Sequence, residues 1–383
     1  MMAALVGALL DGDHAQAMAE CEKLRDAGVA PQQIITEGVE VAMAKLDAKC
    51  TVDQFNLLEI MLCGRAVTGV MKDLYPPGTS PLRTKGAVVL GALEGDVHDL
   101  GKNILKTVLT AAGYRVVDCG KDCPIEKLID AAESEGAVAV GVSGLLTMVI
   151  AQVFGHAATL AGVPVGDYVR DGELLAQCQI QALDRHDYDA VFALMDVNVE
   201  TEAAGPVLAY RADAYPVAQS YALAGVVEPD ALAIPDPSRD GRMPELLRAA
   251  RILRREVGDE VLVVGCVLGP MTLAMQLLGP EAALYLAIDE PDRFARVLDF
   301  AASVVVRFGL AQIEAGVHLP IVFDPSSSPD VIPSSFYREF VVPQLARVFS
   351  AFKQAGSAAN WLHTAGPVES ILPFYPPICI RSM

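Results

Sequence analysis

The chain has one tryptophan, and aromatic residues make up only 6% of it, so it offers no row of rings on which nucleobases could stack. Positive charge is in deficit. Against 48 Asp and Glu stand 29 Lys and Arg, a formal net charge of -19, which opposes nucleic acid and anionic membrane as partners and favours solubility. No Cys-x-x-Cys pair occurs among the cysteines at 21, 50, 63, 119, 123, 178, 266 and 379. Their scatter through expected helices and strands reads as buried thiols in a reducing compartment, not a disulfide framework. The N-terminus has no basic region ahead of its apolar stretch, so no signal peptide is expected and a cytoplasmic location follows. No Asp, Glu, Lys or Arg occurs from Gly136 to Gly166. That length alone would make a membrane span, but the stretch contains four internal glycines, Ser143, Gln152, His156 and Pro164. It reads as a buried strand, a turn and a helix, so no membrane is expected as a partner. No fixed-period repeat is present.

What is there begins with size. At 383 residues, 52% of them hydrophobic, the chain is long enough for two or three domains, each with its own core. Residues 1 to about 75 carry helical periodicity only and predict about four helices. Pro31 stands at a first-turn position after the helix stop Gly28, and Thr51-Val-Asp-Gln54 is a capping box ahead of an apolar stripe. Pro76-Pro-Gly-Thr-Ser-Pro81 then breaks the pattern and ends a helical cap at about residue 82.

From Gly86 the period changes. Strand (Ala87–Leu93), helix (His98–Ala112), strand (Arg115–Asp118), helix (Ile125–Ser134) and strand (Val138–Val142) form a parallel alternation over 83–149. Ligands in such sheets bind beyond the carboxyl ends of the strands, where Asp96, His98 and Ser143 fall. Within the turn after the first strand lies Asp96-x-His98-x-x-Gly101. A histidine there can leave the sheet to ligate a transition metal, and an aspartate two residues earlier can hold its other ring nitrogen.

From about residue 150 the alternation continues with longer helices. The expected strands are Ala190–Asp196, Leu232–Pro235, Val261–Val267, Ile321–Asp324 and Ala358–His363. Polar residues at their carboxyl ends, Asp196, Asp236, Asp324 and His363, suggest a (β/α)8-type barrel over 150–383, with about five clear strands where closure needs eight. Glu200 and Glu202 read as solvated helix charges.

These motifs carry a resemblance. Asp96, His98 and Gly101, followed by Ser143-Gly-Leu145-Leu-Thr147, resemble the two signatures of the corrinoid-binding module of cobalamin-dependent methyltransferases, a helical cap followed by a flavodoxin-like sheet. The stretches Leu194-Met-Asp196-Val-Asn-Val-Glu200-Thr-Glu202, Pro235-Asp-Pro-Ser-Arg-Asp-Gly-Arg242-Met-Pro244, Gly269-Pro-Met-Thr-Leu-Ala274 and Leu362-His363-Thr-Ala-Gly366 are similar to the uroporphyrinogen decarboxylase superfamily, nearest its methylcobamide-dependent methyltransferase branch. The resemblance implies an α/β chain: a helical-bundle cap, a partial flavodoxin-like parallel sheet, and an incomplete barrel. It implies a corrinoid with His98 on cobalt, and Ser143, Leu145 and Thr147 along the cofactor's nucleotide tail. It implies corrinoid-dependent methyl transfer to or from a thiol or similar small acceptor, with Asp196 and His363 as the catalytic candidates. The partners implied are a small-molecule methyl donor and acceptor and a methyltransferase or corrinoid-reactivating protein.

The chain departs from the pattern in three places. The corrinoid module lacks its last strands before the barrel begins, the barrel stops about 20 residues after His363, and Ala365 stands where the branch has a zinc-binding cysteine. Both domains therefore read as truncated. His363, one thiolate short, is either a zinc ligand or a substrate hydrogen-bonder, and Cys379 could supply a thiolate only from a folded-back tail. Two alternatives stay open: a porphyrinogen-type decarboxylase, against which residues 153–160 offer no arginine for substrate acetates, and a non-catalytic corrinoid carrier.

Overall fold

A computed structural model of the chain describes residues 1–50, 57–74, 85–92, 114–120, 123–143, 161–186, 189–210, 215–223, 232–365 and 368–375, with residues 102, 105, 106, 109, 110, 157, 158 and 229 singly. The chain forms two compact units, Met1–Leu145 and Leu146–Met383.

The first unit begins with helices α1 (Met2–Leu10), α2 (His14–Asp26), α3 (Pro31–Ile34), α4 (Glu40–Cys50) and α5 (Leu57–Leu74). A π-helical turn, Ile35–Val39, joins α3 to α4, so the expected third helix is one run with a bulge. Asp13 caps α2 by accepting from the Gln16 N–H at 2.9 Å. Gly28, at φ +75°, makes the turn before Pro31, which occupies the first turn of α3. Leu5, Leu9, Ile34, Val39, Val67 and Val70 meet in one buried cluster, the sum of the apolar faces. The capping box at 51–54 and the linker at 76–81 lie outside the described residues.

The same unit holds a three-stranded parallel sheet of β1 (Ala87–Ala92), β2 (Arg115–Asp118) and β3 (Ala137–Ser143), in the order β2-β1-β3. Helix α6 (Ile125–Glu135) connects β2 to β3 and ends at Gly136 in the left-handed conformation. The central strand β1 is buried throughout, as its unbroken apolar run requires in a parallel sheet. Register places Ala92 beside Ser143, so the carboxyl ends of β1 and β3 are adjacent.

In the second unit, α7 (Gly172–His186) leads to β4 (Ala190–Ala193), a two-residue antiparallel ladder β5 (Leu208–Ala209) and β6 (Val217–Ala218) follows, and α8 (Met243–Val257) leads to β7 (Leu262–Leu268). Three consecutive helices, α9 (Pro270–Leu278), α10 (Pro280–Asp289) and α11 (Pro291–Glu314), precede β8 (Leu319–Phe323), and α12 (Val342–Gln354) precedes β9 (Trp361–His363). The four long-range strands pair in parallel as β4-β7-β8-β9, each next to its successor in the chain, which is the order of a barrel wall. Leu194, Val264, Cys266, Leu319, Ile321 and Phe323 form its buried inner cluster.

Two expectations change here. Leu232–Pro235 is not a strand: residues 233–236 have no regular structure and lead into a turn, and prolines at 235 and 237 remove ladder donors. The expected strand at Ala190 stops at Ala193, so Asp196 belongs to the loop above it. Among the described residues the parallel sheet has four strands and does not close on itself. No single described helix is long and apolar enough to cross a membrane. The pair α9 and α10 passes only as a pair bent by 104°.

Candidate functional site

Two groups of residues collect at strand carboxyl ends, one in each unit. In the first unit, Asp96, His98, Gly101, Leu145 and Thr147 lie outside the described residues. What is described is their setting. The chain leaves β1 at Ala92, and Ser143 ends β3 directly beside it. Of the expected helix His98–Ala112, residues Lys102, Leu105, Lys106, Leu109 and Thr110 are described and helical. Lys102 is buried, with its Nζ 2.6 Å from Asp118 Oδ1 at the end of β2, and the Lys106 Nζ lies 3.0 Å from Asp118 Oδ2. The Gly120 N–H also donates to Asp118 Oδ1, at 3.0 Å. Partial burial opposes ionisation of this carboxyl, but the bonds from Lys102, Gly120 and Lys106 outweigh it and bring its pKa down to about 2.

A planar macrocycle with a tail needs an adjacent pair of strand ends and a ligating turn between them. The β1 and β3 ends supply the pair, and the sequence places the His98 imidazole six residues after β1. The residues present therefore fit a corrinoid.

In the second unit, the polar residues above β4, β7, β8 and β9 form two clusters. The first centres on Arg242, just ahead of α8. Its guanidinium makes a bidentate pair with Asp196, with the NH2–Oδ1 bond at 3.1 Å. It also donates through Nε to Glu202 Oε2 at 2.7 Å and through NH1 to the Val169 carbonyl at 2.9 Å. Asp196 Oδ1 further accepts from the Asn198 N–H at 2.8 Å. The Tyr210 hydroxyl donates to Glu202 Oε1 at 2.6 Å, and Arg170 lies over the Tyr210 ring, 4.1 Å from its centroid. Burial opposes the charge on Arg242, and the carboxylates of Asp196 and Glu202 overcome it, so the guanidinium stays charged.

The second cluster joins β7, β8 and β9. Asp324 is fully buried. Its Oδ1 accepts from the Thr272 N–H at 2.8 Å and the Thr272 hydroxyl at 2.7 Å, while Oδ2 has no hydrogen-bond partner among the described residues. Burial raises its pKa to about 6, against the pull of the Thr272 hydrogen bonds. The Asp324 N–H donates to the His363 carbonyl at 2.9 Å, tying the ends of β8 and β9 together. The His363 ring stacks on Phe323, with centroids 4.2 Å apart and planes 14° from parallel. His363 Nε2 and Thr364 Oγ1 are buried and have no hydrogen-bond partner among the described residues, and burial lowers the His363 pKa. Glu200 is buried beneath this level. Its Oε1 accepts from the Leu268 N–H at 2.7 Å, and burial, opposed by that bond, lifts its pKa to about 7. Cys266, also buried, has its thiol pKa pushed well up by burial and by Glu200, so it is no ready nucleophile.

The geometry changes the sequence reading of three residues. Glu200 is 2% exposed and Glu202 is bound to Arg242, so neither is a solvated helix charge. Asp196, expected to face substrate, has both oxygens engaged by Arg242 and Asn198. Sequence reasoning did not single out Arg242 or Thr272. Their only signals were an arginine closing Pro235–Arg242 and a threonine in the Gly269–Ala274 stretch. Six cysteines, at 21, 63, 119, 123, 178 and 266, are buried and free as expected. Among the described residues no three His, Cys, Asp or Glu side chains gather as a ligand set, and Cys379 lies outside those residues.

Comparison with known proteins supplies the rest. Residues 151–376 match the family model of uroporphyrinogen decarboxylase (URO-D), residues 86–157 match a B12 binding domain, and residues 1–75 match a second B12 binding domain model. The chain is 33% identical over 146 residues to dimethylamine corrinoid protein 1 of Methanosarcina acetivorans, a match covering 37% of this chain and 68% of that protein. It is 31% identical over 144 residues to the methylcobamide:CoM methyltransferase MtaA of Methanosarcina barkeri, covering 37% of this chain and 41% of that protein. The fold is similar to that of a methyltransferase from Methanosarcina mazei, with a TM-score of 0.54 and 24% identity over 58% of this chain and 66% of that one.

Proposed function

The chain belongs to the uroporphyrinogen decarboxylase (URO-D) family and carries B12-binding domains ahead of that region, and from this premise we propose that it is a cobalamin-dependent methyltransferase. The observation that carries the reading is the presence, on one chain, of Asp96-x-His98-x-x-Gly101 directly after β1 and of a barrel-type sheet with unfilled polar atoms at its carboxyl end.

A bound corrinoid supplies a cobalt that takes up and releases a methyl group. The chain's own residues do the remaining work. His98 would offer one ring nitrogen to the metal, and Asp96 would hold the other and fix the tautomer. Ser143, Leu145 and Thr147 would contact the cofactor's nucleotide tail. In the barrel, Arg242 holds Asp196 and Glu202 in place, so this cluster fixes the loop above β4. Asp324 and His363 are the groups free to act. Asp324 has an unpartnered Oδ2 and a pKa of about 6, and His363 is kept neutral by burial. Both can take the proton that a thiol acceptor must lose, because thiolate is the attacking species. No step is routed through zinc. The reading extends to a soluble cytoplasmic protein that meets a small methyl donor and acceptor, and a methyltransferase or reactivating partner protein.

The test is methyl transfer itself. Protein reconstituted with methylcobalamin is offered small thiols, and the corrinoid spectrum and thioether formation are followed together. Thioether formed at the rate of corrinoid demethylation, and slowed at least about 10-fold by Asp324→Asn or His363→Ala, is the expected result. Demethylation no faster than for free methylcobalamin with every thiol tried would contradict the reading.

A further inference from the structure

The segment between Ala92 and Lys102 carries Asp96 and His98, and both of its ends are fastened to one short turn, Asp118–Gly120, at the carboxyl end of β2. At the start, the Ala92 N–H donates to the Gly120 carbonyl at 3.0 Å. At the end, the Lys102 Nζ reaches Asp118 Oδ1 at 2.6 Å. The turn is itself closed by the Gly120 N–H on the same Asp118 oxygen, at 3.0 Å. Gly120 has φ +90°, so it can turn there without the strain another residue would meet. The Cys119 N–H bonds the Leu90 carbonyl at 2.8 Å and the Cys123 N–H bonds the Ala92 carbonyl at 2.9 Å, which docks the whole turn against the end of β1.

Lys102 is the unusual member. Its side chain is only 4% exposed, on a residue type that is almost never buried unless paired. A buried ammonium needs a partner fixed in place, and Asp118 is fixed by Gly120 and Lys106 as well. Lys102 is helical and lies four residues after His98 in the sequence, a span of at most about 14 Å, so whatever holds Lys102 limits how far the imidazole can be carried.

We propose that Asp118 is a positioning residue for the corrinoid: by anchoring Lys102 it limits where the chain can present the His98 imidazole, four residues earlier, to the cobalt. The proposal rests on the corrinoid reading above. Asp118 does not touch the cofactor. Its effect passes through Lys102 and the short stretch of chain back to His98, as a residue behind a metal ligand acts on its geometry.

The experiment uses the full chain reconstituted with hydroxocobalamin and reduced to the Co(II) state, comparing the unmutated protein with His98→Ala, Asp118→Asn, Lys102→Met and Lys102→Arg. Cobalamin affinity, the axial-nitrogen splitting in the electron paramagnetic resonance spectrum and the thermal unfolding midpoint are read for each. In protein labelled with nitrogen-15 at histidine, a two-line nitrogen splitting that His98→Ala removes establishes the underlying reading; its absence from the labelled unmutated protein overturns that reading whatever Asp118 does. Given it, Asp118→Asn and Lys102→Met are expected to bind cobalamin about 10-fold more weakly and to show a reduced nitrogen-ligated fraction, with cooperative unfolding retained. Lys102→Arg, which keeps a charge for Asp118, is expected to recover most of the nitrogen-ligated fraction. The positioning role is overturned if Asp118→Asn and Lys102→Met bind and ligate like the unmutated protein. It is equally overturned if both lose cooperative unfolding, since the pair is then a general stability element.

Discussion

Arg242 and Asp196, 46 residues apart, form a bidentate ion pair in which the two side chains are 7% and 1% exposed. The pair fixes the loop above β4 to the start of α8, and through the Arg242 Nε it draws in Glu202 as well. A carboxylate that the sequence presents as a free group at a strand end is thus part of the frame.

Removing one member of such a pair leaves the others charged and buried. Arg242→Met is expected to destabilise the second unit by roughly 3–5 kcal/mol, and Arg242→Met with Asp196→Asn to recover part of that loss. Urea unfolding of the single and double variants checks both. Additive losses would show that the two side chains do not depend on each other.

Glu200 and Asp324 set a pH dependence of definite sign. Burial raises both folded-state pKa values, from 4.5 to about 7 and from 3.8 to about 6. The folded protein therefore keeps protons that the unfolded chain releases. The stability this contributes is full below the unfolded values and is lost as pH rises through about 6 for Asp324 and about 7 for Glu200. Relative to the unmutated chain, Glu200→Gln and Asp324→Asn should lose less stability between about pH 4 and about pH 8, by on the order of 3 kcal/mol each. Denaturant midpoints across that range decide it. Parallel curves for variant and parent would mean that neither carboxyl titrates with folding.

Gly269 makes the Asp324 geometry sterically testable. A Cβ there would lie 2.1 Å from both Cβ and Cγ of Asp324, and 2.5 Å from its Oδ1. Gly269→Ala must push the carboxyl off Thr272, with an expected loss of roughly 1–3 kcal/mol from overpacking. Methyl transfer should fall with it, by at least as much as in Asp324→Asn. Unchanged stability and turnover would show that Asp324 has room to move and is not held as described.

Much of this was readable in the sequence wherever an element is a continuous apolar run. Ala87–Ala92, Leu262–Leu268 and Leu319–Phe323 are such runs, and buried parallel strands need no other signal. Leu232–Pro235 imitated one, but the prolines around it decide against pairing. The ladder Leu208–Ala209 with Val217–Ala218 is too short for any periodicity to appear. At the site, residue types at strand ends were legible and their partners were not. Asp196 and Arg242, or Asp324 and Thr272, meet only because separate loops converge above the sheet. The burial of Glu200 has the same origin: its helix, Val199–Ala203, is too short to show an amphipathic face, and what covers the carboxylate is the end of β7.

The central claim is that the chain holds a corrinoid through the imidazole of His98. Its most direct test is the electron paramagnetic resonance spectrum of the Co(II) form in protein labelled with nitrogen-15 only at histidine, loaded with unlabelled cobalamin. The account predicts that the three-line nitrogen splitting of unlabelled protein becomes two lines, and that His98→Ala shows neither protein-derived pattern. A three-line pattern unchanged by labelling would place the cofactor's own base on the metal and contradict the account.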